Sequence, residues 1–172
     1  MRECTLIVIR KNHQGDNVIE NLTSYAVNSI FADVDEIQTS YIRNDCVDHM
    51  IEDFYQGQYG YDMNKHRRMF HFILTTRTSR DMCHILEESM YTLNEYFYTL
   101  GYQAILVPHY GSEKDNLNYH CHVIVNPISL TTQIRMLDKF DTYNAIVDYL
   151  NQNTHSHWCW KYHSSKAVSR LF

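Results

Sequence analysis

Proline and glycine are scarce in this chain of 172 residues, with 2 Pro and 5 Gly. That scarcity excludes collagen-like, Pro-rich and Gly-rich linker architectures. The 5 cysteines are odd in number, scattered, and include no Cys-x-x-Cys pair. A disulfide scaffold is therefore excluded, and free thiols in a reducing compartment, the cytoplasm, are expected. No signal peptide is apparent, and no apolar run approaches 18 residues, so no membrane-spanning helix is expected. Basic residues are also short: 15 Lys+Arg against 20 Asp+Glu give a net charge of −5. Strong nonspecific DNA binding rests on Lys and Arg contacts with phosphates, so this balance argues against it.

What remains is ordinary for a soluble globular protein: 44% hydrophobic and 20% charged residues. The length suits one domain over residues 1–172, large enough for a sizeable core, with a tail from about 153. Tyrosine is abundant, with 14 copies. Most are expected in packing, and a few could stack on bases of single-stranded nucleic acid.

Apolar periodicity outlines the elements. Cys4 to Arg10 reads as a strand. Asp16 or Asn17 can cap a helix with Val18, Leu22, Ala26 and Ile30 on one face, and Tyr25 falls near its end. A second helix is expected over Val47–Tyr55, and a strand over Met69–Thr76. Thr78 or Ser79 opens a long helix with Met82, Ile85, Leu86, Met90, Leu93, Phe97 and Leu100 at helical spacing. Gly101 suits the position just past its end. Two strand-like runs follow, Tyr102–His109 and Asn118–Asn126, then a helix over Thr142–Asn151. The order predicts an α+β fold with helices on one face of an antiparallel sheet.

The chemistry concentrates in His120-Cys121-His122. Residues two apart on a strand share a face, so both imidazoles project together while Cys121 points into the opposite side. Antiparallel pairing with the preceding strand would bring His109 beside them. Three histidines can hold one divalent cation and leave positions open for a substrate oxygen.

The run from His109 through Asp115 to Asn118-Tyr-His120-Cys-His122-Val-Ile-Val-Asn126 resembles the metal motif of conjugative relaxases, the HUH endonucleases of plasmid mobilisation. It is most similar to the P-type mobilisation group. Arg68-Met-Phe-His-Phe-Ile-Leu-Thr-Thr76 and Asn21-Leu-Thr-Ser-Tyr25 also look like family segments, and the order is kept over roughly residues 3–130. The chain departs from the pattern in a long loop between His109 and His120. It also has Ala26–Asp33 where a basic residue often stands.

The resemblance implies a ferredoxin-like antiparallel sheet and a metal-dependent, strand-specific DNA nickase and ligase acting at a transfer origin. The metal would be Mg²⁺ or Mn²⁺, held by His109, His120 and His122. The partners would be single-stranded origin DNA and auxiliary mobilisation proteins. Tyr25 would be the nucleophile, with Tyr41 in Thr39–Arg43 as the alternative in a more mobile segment. Asn126 would serve catalysis through a structural or phosphate-side hydrogen bond. Asp115 and His71 are candidates for orienting a ligand histidine, although His71 can equally pack. The basic cluster Lys65, Arg67 and Arg68 is the candidate DNA contact. The histidines at 155, 157 and 163 are too irregularly spaced for a second metal site. Two other classes fit the same residues: a catalytically reduced DNA-binding or accessory replication protein, and a metal-dependent phosphodiesterase on a small substrate.

Overall fold

The computed structural model describes residues 3–10, 16–63, 66–76, 83–111 and 119–163. Its strands are β1 (Glu3–Ile9), β2 (Gln38–Ser40), β3 (Phe70–Thr76), β4 (Tyr102–Tyr110), β5 (Tyr119–Ser129) and β6 (His157–Tyr162). Its α-helices are α1 (Val18–Val27), α2 (Val47–Gly57), α3 (Cys83–Thr99) and α4 (Phe140–Asn153). The strands form one sheet in the order β2-β4-β5-β3-β1-β6. All neighbours are antiparallel except β1 and β6, which run parallel. The fold is α+β with a mostly antiparallel sheet, as expected.

Both faces of the central strands are buried, which explains why β3, β4 and β5 read as continuous apolar runs. Leu6, Val8, Phe70, Phe72, Leu106, Val123 and Val125 pack against α3 and α4. Ile105, Val107 and Ile124 pack against α1 and α2 through Ile19, Ala26, Met50 and Phe54. Helices therefore cover both faces, not the one face expected. Each helix carries a single apolar stripe, and periodicity along a helix does not say which side of a sheet it meets.

Part of the expected tail is instead structured, and residues 164–172 lie outside the described residues. Residues 157–162 form β6 beside β1. Trp158 is buried, and Asn151 clamps its backbone on both sides, accepting from its N–H at 2.6 Å and donating to its C=O at 3.0 Å. The short β2 has too few residues for periodicity to mark it. Tyr41, expected in a mobile segment, directly follows β2 and stacks on Tyr98 at 4.8 Å between ring centroids.

Gly101 ends α3 with φ +76, the left-handed conformation expected of a residue just past a helix. A Cβ there would collide with the side chain of Thr131 and lie 2.8 Å from Ser129 Oγ. Gly101→Ala is therefore expected to cost about 2 kcal/mol, read as a lowered urea midpoint with an unchanged slope.

Candidate metal centre

β4 and β5 pair in a register that sets His109 directly opposite His120, with Val107 opposite His122. All three histidines are 4% exposed or less, so no bulk water competes for their nitrogens. Their candidate ligand nitrogens lie within 4.8 Å of one another. His120 Nε2 and His122 Nε2 are 3.2 Å apart. Metal–nitrogen bonds of ~2.1 Å place two donors ~3.0 Å apart in an octahedral shell and ~3.4 Å apart in a tetrahedral one. The pair therefore fits a divalent ion without rearrangement.

The far nitrogens are held as well. His109 Nε2 donates to the carbonyl oxygen of Ala26 at 2.8 Å, which leaves Nδ1 unprotonated and able to serve as a ligand. That carbonyl is among the last four of α1, which have no partner within the helix. One bond thus satisfies a helix end and fixes an imidazole. His71 Nε2 lies 2.9 Å from His122 Nδ1. When His122 offers Nε2 to an ion, its Nδ1 carries the hydrogen and His71 accepts it. His71 reaches this position from β3 because it sits diagonally across from His122 in the β3–β5 ladder.

Tyr25 lies on α1 one residue before Ala26. Its ring meets His122 edge-on with centroids 5.4 Å apart, and it is 45% exposed. The stretch after α1 is stitched to β4 as well: Asp33 N–H donates to Pro108 O and Tyr110 N–H to Phe31 O. The Pro108 nitrogen then faces this segment and not β5, so no ladder bond is lost to the proline.

Burial pushes the His122 imidazole well below its ordinary pKa of 6.5, and the neighbouring imidazoles His71, His120 and His109 act in the same direction. Burial also lowers His109, against the opposing effect of its bond to Ala26. Both favour the neutral, metal-binding form. The sign for stability follows. As pH falls below about 6.5, the unfolded chain takes up protons that the folded chain refuses. The metal-free protein is expected to keep its full stability above that pH and to lose it as pH falls toward the depressed folded values. Urea midpoints measured between pH 7.5 and pH 5 check this, and a flat profile would contradict it.

Other expected residues fall elsewhere. Asn126 is fully buried on β5, four residues beyond His122, or about 13 Å along the strand. Its Nδ2 donates to Gln103 Oε1 at 2.8 Å, and its Oδ1 accepts from Ile128 N–H at 3.1 Å. Gly57 closes over this pair so tightly that a Cβ there would collide with the Gln103 carboxamide. Of the two roles expected for Asn126, these bonds match the structural one, beneath α2. Arg67 donates to the carbonyls of Ile9 and Arg10 and pairs with Asp138 at 3.4 Å. Arg68 pairs with Asp16 at 3.2 Å. Both guanidinium groups are engaged within the protein and largely buried. Lys65 and Asp115 lie outside the described residues. Among the described residues, sequence reasoning missed the role of Ala26, because a backbone carbonyl leaves no trace in residue identity.

The three buried imidazoles on the sheet could hold a metal ion, and an exposed tyrosine lies against one of them. A family model described as "Relaxase: MobA/VirD2-like, nuclease domain" matches residues 25–160, from Tyr25 to Trp160. The chain therefore belongs to the MobA/VirD2-like relaxase nuclease family. No curated protein and no solved structure gives a significant match. Among the described residues, no helix is long and apolar enough to cross a membrane.

Proposed function

We propose that this chain nicks and rejoins one DNA strand at a transfer origin, with Tyr25 as nucleophile and His109, His120 and His122 as metal ligands. Family membership supplies the nuclease class. The observation that carries the residue assignment is the contact of Tyr25, exposed on α1, with His122 of the buried triad.

The Tyr25 hydroxyl attacks a backbone phosphorus. A Tyr25 Oη–P bond forms, and the bond from phosphorus to the 3′-oxygen breaks. The products are a 5′-phosphotyrosine and a free 3′-hydroxyl. One phosphodiester replaces another, so the 3′-hydroxyl can later reverse the step without an energy source. His109, His120 and His122 would hold a divalent ion, whose Lewis acidity would offset charge developing on the phosphate. The residues do the rest. The Ala26–His109 bond holds the end of α1, and with it Tyr25, against the sheet. His71 keeps the His122 ring turned so that Nε2 faces His120. A free phenol has a pKa of about 10, so its proton must leave during attack at neutral pH. Three imidazoles suit Mn²⁺ better than Mg²⁺, which prefers oxygen donors. The substrate is single-stranded DNA, held by a few specific contacts, since the net charge of −5 disfavours general phosphate binding. Within the family we place the chain in the P-type mobilisation group, on its Asn-x-His-x-His motif at 118–122. Auxiliary mobilisation proteins are the partners this placement brings.

The test mixes purified protein, Mn²⁺ or Mg²⁺, and labelled single-stranded DNA from the mobile element that encodes it. A denaturing gel should show a metal-dependent covalent protein–DNA band. Metal binding with no band on any such DNA would overturn the relaxase reading. Turnover of small phosphodiesters without a trapped adduct would replace it with a phosphodiesterase.

A further inference from the structure

A second group of metal-binding side chains lies away from the triad, at the start of α2. Asp45 precedes the helix, Cys46 is its N-cap residue, and His49 lies in its first turn. One carboxylate oxygen, the thiol sulfur and one imidazole nitrogen of these residues lie within 4.8 Å of one another. Asp45 Oδ2 contacts His49 Nδ1 at 2.7 Å, and Asp45 Oδ1 accepts the Cys46 N–H at 3.0 Å. One carboxylate thus faces both other donors.

We propose that Asp45, Cys46 and His49 bind a borderline divalent cation of the Zn²⁺ class, distinct from the ion of the histidine triad. The donor chemistry separates the two sites. The triad offers nitrogen alone, which accepts Mn²⁺. A thiolate, an imidazole and a carboxylate select Zn²⁺ or Co²⁺ over Mg²⁺ and Mn²⁺. Three protein donors leave the fourth tetrahedral position to water. The Asp45–His49 contact needs to open by roughly half an ångström to take an ion between them. Both side chains are about half exposed, so nothing packs against that movement.

The surroundings favour a cation. Residues 45–53 contain four carboxylates and no lysine or arginine. The nearest basic residue in sequence, Arg43, is drawn onto Glu52 at 2.6 Å and Asp53 at 2.7 Å, so its charge is neutralised locally. Three of the other four cysteines are differently placed, and Cys83, half-buried, opens α3. Cys4 and Cys121 are buried in the core, and Cys159 donates its thiol to the Cys4 carbonyl. An ion at Asp45, Cys46 and His49 would pin the loop after β2 to the first turn of α2, the helix that packs beside Tyr25-bearing α1.

Cys46 alkylation in the full chain, followed by peptide mass spectrometry, reads this site alone. With Zn²⁺ at about ten times its Kd, the alkylation rate of Cys46 should fall about tenfold. Mn²⁺ should not slow it, and His49→Ala should restore the rate in Zn²⁺. Co²⁺ gives an independent readout: a thiolate-to-metal charge-transfer band, lost in Cys46→Ser and kept in Cys159→Ser. Zn²⁺-independent alkylation of Cys46, or a charge-transfer band that survives Cys46→Ser, would overturn the proposal. Neither readout depends on DNA cleavage, so failure here and failure of the relaxase reading are distinguishable.

Discussion

Tyr25→Phe is expected to abolish the covalent protein–DNA band, by at least about a thousandfold, while leaving metal affinity and stability nearly unchanged. A residue that supplies the bond-forming atom has no substitute, and losses of that size or larger accompany removal of a nucleophile. The fold should tolerate the change. Phenylalanine keeps the ring that meets His122 edge-on, and the lost hydroxyl belongs to a side chain 45% exposed. Tyr41→Phe is the matched control. Tyr41 follows β2, whose last residue, Ser40, pairs with Ala104 of β4. His109 lies five residues further along β4, about 17 Å away, so Tyr41→Phe should leave the band intact. Tyr41 is further committed by its stack on Tyr98 and a left-handed backbone, φ 52. Labelled single-stranded DNA run on a denaturing gel with each variant reads both outcomes. A full-strength band from Tyr25→Phe would move the nucleophile elsewhere.

The triad was legible in the sequence because strand geometry is strict. Residues two apart share a face, and an antiparallel partner strand brings its end alongside, so His109, His120 and His122 needed only alternation and pairing. Cys121 followed from the same rule and lies in the opposite core, fully buried. The α3 stripe from Ile85 to Phe97 and its Gly101 stop were equally plain, whereas Leu100 lies just past the helix and is exposed, and Thr78, Ser79 and Met82 lie outside the described residues. What could not be read depended on contacts distant in sequence. Asn126 shares the face of His120 and His122, and only the packing of Gly57 and Gln103 shows that it lies under a helix. Arg67 and Arg68 look like a phosphate clamp until Asp138 and Asp16 arrive from far along the chain. β6 was hidden because an edge strand has one covered side and alternates only weakly: Trp158 alone of its six residues is buried. The tie between Ala26 and His109 crosses 83 residues and uses a backbone atom.

That tie separates the three ligands in their expected defects. His122→Ala should weaken metal binding by at least about a hundredfold and abolish metal-dependent cleavage. It removes both a donor and the ring that Tyr25 and His71 meet. Chelation of the unaltered protein should reproduce the cleavage loss, which rules out misfolding as its cause. His120→Ala removes a donor but leaves the Ala26–His109 bond in place, so cleavage should recover as Mn²⁺ is raised to saturation. His109→Ala removes a donor and also releases the Ala26 carbonyl, the anchor for the end of α1. Its cleavage rate should stay depressed even at saturating Mn²⁺, because Tyr25 is then poorly placed and orientation makes a large contribution to such a reaction. Metal affinity by calorimetry and adduct yield across an Mn²⁺ titration give the two axes. Equal recovery of His109→Ala and His120→Ala at saturation would mean that His109 serves as a ligand alone. Incomplete recovery of His109→Ala only would show that one imidazole both offers a nitrogen to the ion and sets the position of the nucleophile.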